Sequence, residues 1–311
     1  MKAIVIERYG GIEELSMKEM PLPELKPDQV LIETYATSVN PYDWKIRSGS
    51  LKDMVPFRFP IILGWDAAGV IVKKGTGVGR FETGDRVFAR PRTSNKGCYA
   101  EYVATEEKML ARIPENLSFE EAASIPLAGL TAWQCLVDLG KVQTGDKVLI
   151  HAGTGGVGSI AIQLAKNLGA FVATTGSGRN ATLLKELGAD LVIDYGTRDY
   201  EKELNGYDFV LDTLGGDHQE KSYRILRKGG KLVSIVNLPD QAVAGKYGVD
   251  ACFHLLKPNG EQLEILAKMF GDGKLKPMVG QVFPFTEAGL REAHALSESR
   301  HVKGKLVIQI R

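Results

Sequence analysis

The sequence predicts an α/β protein: a doubly wound parallel sheet set into a second, mostly β domain. Three observations lead there. Residues 1–120 read as short strands and turns. From Ser118 to about residue 272, apolar runs alternate with amphipathic stretches. After Gly273 the strand texture returns, and the tail is expected to rejoin the first part. The expected boundaries are therefore 1–120, 121–272 and 273–311.

The elements follow in order. "KAIVIE", "QVLIETYATSV", "AAGVIVKKG", "GDRVFAR" and "YAEYVAT" are rich in β-branched and aromatic residues and bounded by Gly, Pro and Asp, the signature of strands. The prolines of "PLPELKP" mark a loop. The one helical turn in this part falls around 41–48. Ser118 with Glu121 three residues later is a capping box that opens a helix. Then "DKVLIHA" is followed by "SIAIQLAKNLG", "AFVATTG" by "NATLLKELG", "DLVIDY" by "RDYEKELN", and "YDFVLDTLG" by "QEKSYRILRKG" before "KLVSIVN". Strands and helices taking turns give βαβ units, with right-handed crossovers and helices on both faces of a parallel sheet. The tail adds the strand "PMVGQVFPF", the helix "EAGLREAHALSES" and the strand "GKLVIQI".

Bulk properties exclude several classes. The net charge of +1 offers no basic field for nucleic acid. No apolar run reaches the length of a membrane span, and "MKAIVIERYGG" lacks the apolar core of a secretory signal. Cys98, Cys135 and Cys252 are odd in number and contain no C-x-x-C, which argues against a four-thiolate zinc or a disulfide framework and fits a reducing, cytoplasmic setting. Glycine is enriched, at 35 of 311 residues against about 7% on average, so its placement matters.

Those glycines concentrate in "VLIHAGTGGVGSIAIQLAK". Gly153, Gly155 and Gly158 form G-x-G-x-x-G between a strand and a helix, the setting in which this motif binds a dinucleotide. Gly153 permits the tight turn. Gly155, Gly156 and Val157 bring backbone N–H groups to a pyrophosphate, at the positive end of the helix. The following strand ends in Thr175-Gly176-Ser177-Gly178-Arg179-Asn180 with no acid. A carboxylate there would grip a ribose 2′-hydroxyl, whereas Ser177, Arg179 and Asn180 suit a 2′-phosphate. The cofactor read from this stretch is NADPH, with Tyr195 at the end of the third strand near the same phosphate.

With the motifs "SVNPYDWKIRSG", "GWDAAGVI", "EEAASIPLAGLTAW", "AGTGGVG" and "LDTLGG" in hand, the chain resembles the medium-chain dehydrogenase/reductase superfamily, in its zinc-free quinone-oxidoreductase branch. The resemblance covers nearly the whole chain. It implies a GroES-like β domain holding both termini, a Rossmann domain inserted in it, and a homodimer, for which "VDACFHLL" is a candidate pairing edge. It also implies that Thr131 lies against the nicotinamide or its phosphate, that the backbone of Ile235, Val236, Phe253 and Leu255 runs along the nicotinamide side, and that Leu214 and Gly215 lie near the adenosine side. The zinc enzymes carry Cys and His where this chain has Asn40 and Trp65, and neither is a usual zinc ligand. No metal is expected. Asp66 stands where those enzymes have Glu and reads as a structural residue. The five histidines, including His151 beside the glycine turn, read as packing or surface residues.

Without a metal, the acceptor must carry its own electron sink. A quinone or an α,β-unsaturated carbonyl does, and needs only donors at its oxygen and a proton. The candidate catalytic residues are Asn40, which the resemblance places by the nicotinamide, with Tyr42 and Lys45 as the other polar groups of that loop. Asp43 and Arg47 form either an ion pair or a hydrogen-bond net that shapes it. Trp44, Trp65 and Phe57 line either a pocket or the core. The substrate is a small-molecule carbonyl or quinone. The competing reading is a non-catalytic NADPH-binding protein, since a fold alone does not fix function.

Overall fold

The computed structural model describes residues 1–311. It divides into two compact units, Met1–Leu130 with Pro258–Arg311, and Thr131–Lys257.

The first unit opens with β1 (Lys2–Ile6), β2 (Ser16–Glu19), β3 (Gln29–Val39), α1 (Pro41–Arg47), β4 (Ile61–Ile62), β5 (Ala67–Lys74), β6 (Arg86–Ala89), β7 (Tyr102–Glu106), β8 (Leu110–Arg112), α2 (Phe119–Ala123) and α3 (Pro126–Trp133), which runs on into the second unit. The long strand β3 organises it, pairing antiparallel with β5 and β7. The Ser118 capping box is present: its hydroxyl accepts Glu121 N–H at 3.1 Å and Glu121 accepts Ser118 N–H at 2.9 Å.

The second unit contributes β9 (Lys147–Ile150), α4 (Gly156–Asn167), β10 (Phe171–Gly176), α5 (Ala181–Glu186), β11 (Leu191–Asp194), α6 (Tyr200–Glu203), β12 (Tyr207–Asp212), α7 (Asp217–Ile225), β13 (Leu226–Ser234), α8 (Gln241–Tyr247) and β14 (Asp250–Phe253). Its six strands are all parallel, in the order β11-β10-β9-β12-β13-β14. Counted along the unit this is 3-2-1-4-5-6, the doubly wound order whose reversal marks the ligand crevice at the carboxyl ends.

The chain then returns to the first unit with α9 (Gly260–Gly271), β15 (Val279–Pro284), α10 (Glu287–Glu298) and β16 (Lys305–Gln309). β16 pairs antiparallel with β3 and parallel with β15, completing a seven-stranded sheet. A three-stranded sheet, β2-β1-β4, covers a core that includes Ile4, Ile6, Trp65, Tyr99 and Leu290.

The boundaries differ from the sequence expectation of 120/121 and 272/273. They fall at 130/131 and 257/258. At the first, α2 packs on β3: Phe119 stacks on Tyr35 at 4.3 Å, and Arg86 lies 4.7 Å from the Phe119 ring. At the second, α9 belongs with β8 rather than the parallel sheet. A Cβ at Gly260 would lie 2.6 Å from the Lys108 carbonyl oxygen and 2.7 Å from that of Leu110, so glycine is what lets the helix start close against this strand. Glu264 of α9 also pairs with Arg80 at 2.5 Å.

Candidate active site

In the second unit, the turn between β9 and α4 is built for close backbone approach. A Cβ at Gly158 would fall against the Ala152 carbonyl oxygen, and one at Gly153 against Thr174 Oγ1. Gly155 is the N-cap of α4 and has no side-chain cap, so the first N–H groups of a twelve-residue helix lack the usual partner. Around Gly155 the nearest atom to a built Cβ is the Ala152 oxygen at 3.3 Å. An uncapped helix N-terminus over a glycine cradle fits a dinucleotide pyrophosphate. Beneath it, His151 is spoken for. Ala152 N–H donates to Thr175 Oγ1 at 3.1 Å; His151 Nδ1 meets that oxygen at 3.2 Å, and its Nε2 meets Ser222 Oγ at 3.0 Å. Burial holds the imidazole neutral, with a pKa lowered to about 4.

The other cofactor candidates of this unit gather at the same carboxyl edge of the sheet. Ser177, Arg179 and Asn180 follow β10, with Arg179 exposed; Tyr195 follows β11 and is 62% exposed. Leu214 and Gly215 follow β12, where Asp212 Oδ1 accepts both their N–H groups at 3.0 and 2.8 Å. Ile235 and Val236 follow β13, and Phe253 and Leu255 lie at the end of β14. Thr131 is buried in α3. The sequence pattern hides one feature of this edge. Asp194 pairs in register with Gly176, and a Cβ at Gly178 would fall against its Oδ2. An acid does stand at the end of β10, delivered by the neighbouring strand. A depression lined by Lys147, Phe171, Leu191 and Tyr207 lies at the opposite, amino ends of the strands, away from this edge.

In the first unit, Asn40 follows β3 and is the N-cap of α1. Asp43 Oδ2 accepts Asn40 N–H at 2.8 Å and Tyr99 O–H at 2.8 Å. Tyr99 then meets His294 Nε2 at 3.1 Å, His294 Nδ1 meets Arg47 Nη1 at 3.0 Å, and Arg47 Nη2 pairs with Glu298 at 2.5 Å. Arginine only donates, so the direction is fixed: Arg47 to Nδ1, Nε2–H to Tyr99, Tyr99 O–H to Asp43. Of the two readings for Asp43 and Arg47, the hydrogen-bond net is the one observed. Burial pushes Asp43 up to about 7 and His294 down to about 3.

The Asn40 side chain faces inward. Its Nδ2 donates to Asp66 Oδ2 at 2.7 Å, and its Oδ1 accepts from Lys305 Nζ. Asp66 also accepts from Ser38 Oγ at 2.7 Å and from Leu127 N–H, in the first turn of α3, at 2.8 Å. Lys305 lies 3.5 Å from Asp66, and both are buried. Trp65 is fully buried between Tyr42, at 5.3 Å, and Phe57, at 6.1 Å, so it is core rather than pocket wall. No group of three or more His, Cys, Asp or Glu side chains is arranged to hold a metal ion.

Tyr42 and Lys45 are only partly buried. Lys45 Nζ sits 5.8 Å from the Trp44 ring, and its pKa is lowered by burial and by the Arg300 charge. Burial raises the Tyr42 pKa, while the Thr93 side chain and the Arg90 charge act against that rise. Arg90 is a buried cation whose Nη2 donates to Thr93 Oγ1 at 3.1 Å and whose Nε has no partner. Sequence reading missed Arg90 and Lys305; it gave Asp66 a structural role without its partners. The only local signal for them was charge inside otherwise apolar strand ends.

Known proteins share this chain's fold. Residues 26–115 match the family described as alcohol dehydrogenase GroES-like domain, and residues 187–308 that described as zinc-binding dehydrogenase. The NADPH-dependent alkenal/one oxidoreductase of Arabidopsis thaliana chloroplasts is 37% identical over 99% of this chain and 79% of its own length. The quinone oxidoreductase from Coxiella burnetii superposes with a TM-score of 0.91 at 38% identity, covering 100% of this chain and 99% of that one. The Escherichia coli quinone oxidoreductase complexed with NADPH superposes at 0.90 with 29% identity, covering both chains fully at 100%. The chain belongs to the medium-chain dehydrogenase/reductase superfamily, with the quinone oxidoreductases and alkenal/one reductases among its relatives.

Proposed function

We propose that this protein is an NADPH-dependent oxidoreductase that reduces a quinone or an α,β-unsaturated carbonyl without a metal. The observation that carries the reading is the loop at Asn40. With Trp65, it puts an amide and a buried indole where the resemblance sets zinc ligands, and the half-buried ammonium of Lys45 follows in the same loop as Asn40. Gly153, Gly155, Gly156 and Val157 would hold NADPH, with Ser177, Arg179, Asn180 and Tyr195 toward its 2′-phosphate, and the cofactor would supply a hydride. Lys45 would donate a hydrogen bond to the substrate's carbonyl oxygen and stabilise the charge that develops there. Tyr42, which burial keeps protonated by raising its pKa, would then give its proton to the α-carbon of an enone or to the oxygen of a quinone. The family resemblance assigns Asn40, whose amide is held by Asp66 and Lys305, to the nicotinamide side. The relatives' activities support this over a non-catalytic role.

The test is NADPH oxidation, read by loss of its absorbance, with benzoquinone, phenanthrenequinone, methyl vinyl ketone and trans-hexenal, with and without chelator. Turnover on the enone or enal with a saturated product marks a double-bond reductase; turnover on quinones alone marks a quinone reductase. Bound NADPH with no turnover on any of them sinks the enzymatic reading. The protein acts as a homodimer in a reducing, cytoplasmic compartment, away from membrane and nucleic acid. Three free thiols and an edge position for β14 support this. Light scattering that gives the mass of one chain would refute the dimer.

A further inference from the structure

We propose that Lys305 and Asp66 are positioning residues that fix the orientation of the Asn40 side-chain amide, and so decide that it acts as a hydrogen-bond donor in the reductive site. This rests on the assignment of Asn40 made above.

An asparagine amide has two nearly isosteric ends, one accepting and one donating. Which end faces outward is set by its partners. An ammonium can only donate, so Lys305 Nζ must meet Oδ1. A carboxylate can only accept, so Asp66 Oδ2, at 2.7 Å, must meet Nδ2. The two ions read the two ends of the amide at once, and no flipped arrangement satisfies both. One N–H of Nδ2 is left without a protein partner, and it is a donor.

Each ion is itself anchored. Lys305 also donates to the Val39 carbonyl at 3.2 Å. Asp66 is held by Ser38 Oγ and by Leu127 N–H. The fold has no need of this pair to start α1, because Asp43 already takes the Asn40 N–H. Nor is a buried ion pair an economical source of stability, since apolar side chains of similar volume usually do as well. Holding an amide in one orientation is a task that apolar side chains cannot perform.

The test compares Asn40→Ala, Lys305→Met, Lys305→Arg, Asp66→Asn and the double variant Asn40→Ala/Lys305→Met. Measured are kcat, KM for an enone, the NADPH dissociation constant by fluorescence titration, Tm, and the Asn40 side-chain amide signal by NMR. Asn40→Ala is expected to lower kcat about 100-fold, as loss of one aligned donor does. Lys305→Met and Asp66→Asn are expected to lower kcat similarly, with NADPH affinity retained and the amide signal shifted or doubled. Lys305→Arg restores part of kcat. The double variant is no slower than Asn40→Ala, because both changes act through one group.

If Asn40→Ala loses turnover while Lys305→Met and Asp66→Asn keep it, the positioning proposal is wrong and the assignment of Asn40 stands. If the losses multiply in the double variant, Lys305 acts on its own and the proposal is wrong. If Asn40→Ala turns over normally, the assignment of Asn40 fails and this proposal with it. Should Lys305→Met not fold, Asp66→Asn, which keeps its size and removes the acceptor-only partner, separates the same outcomes.

Discussion

Lys45 shows how much one residue's surroundings decide. An ordinary lysine would stay charged until well into alkaline pH; here burial and the Arg300 charge lower its pKa. The protonated form is the donor, so turnover should fall as pH rises through that lowered value. Lys45→Met is expected to cost about 100-fold in kcat/KM for an enone and to abolish that alkaline limb; a limb that survives unchanged belongs to another group. At the cofactor end, Arg179→Ala should reduce the kcat/KM preference for NADPH over NADH by about tenfold, the loss of one charge-assisted contact to a phosphate. An unchanged ratio removes Arg179 from the 2′-phosphate site. Asn40, Tyr42, Lys45 and Arg179 could be singled out because each lies in a short motif. The grip of Asp66 and Lys305 on Asn40 could not, because they are 26 and 265 residues from it and become its neighbours only when β3, β5 and β16 are laid side by side.

The glycine turn makes the element-scale argument. Gly158 and Gly155 belong to one motif, yet their surroundings differ. A Cβ at Gly158 would press on the backbone carbonyl of Ala152, whereas Gly155 has only that oxygen near, at 3.3 Å, and an extended φ of −72° that alanine adopts freely. Gly158→Ala should therefore lower stability by about 1–3 kcal/mol, the usual range for overpacking, seen as a fall in the urea midpoint. Gly155→Ala should leave that midpoint nearly unchanged and weaken NADPH binding by about tenfold, because the methyl enters the space kept for phosphate. Equal stabilities for the two variants would show that the turn relaxes around Gly158. The strand and helix alternation that frames this turn was legible from periodicity alone. The allegiance of α9 was not: its amphipathic pattern asks for an apolar partner without saying which sheet supplies it.

For the whole molecule, stability against pH depends on buried groups that neither side of the folding equilibrium treats alike. His294, at about 3, and His151, at about 4, both lie below their ordinary 6.5, so the unfolded chain binds more protons as pH falls below 6.5 and the fold loses stability. Asp43, at about 7 against 3.8, has the opposite sign: the folded state takes up its proton first and gains stability between those values. Two histidines against one aspartate leave the unfolded chain with the larger proton uptake between roughly pH 6.5 and 4, so stability falls with pH across that range. Urea midpoints measured from neutral pH downward should fall accordingly. His294→Gln, whose amide can still accept from Arg47 and donate to Tyr99, should flatten the slope in the unit that holds it. A slope that steepens or stays the same would mean His294 is not the group being titrated.

By itself the sequence determined the doubly wound sheet, the glycine turn and the NADPH reading. Each of these is written in contiguous residues, where period, spacing and chemical type act locally. Only the tertiary structure decided that α9 belongs with β8, that Asp194 stands beside the loop after β10, and that Asn40 is gripped by Asp66 and Lys305. The reason is physical. These partnerships join residues far apart in the chain, and a buried charge takes its role from the groups that packing brings against it.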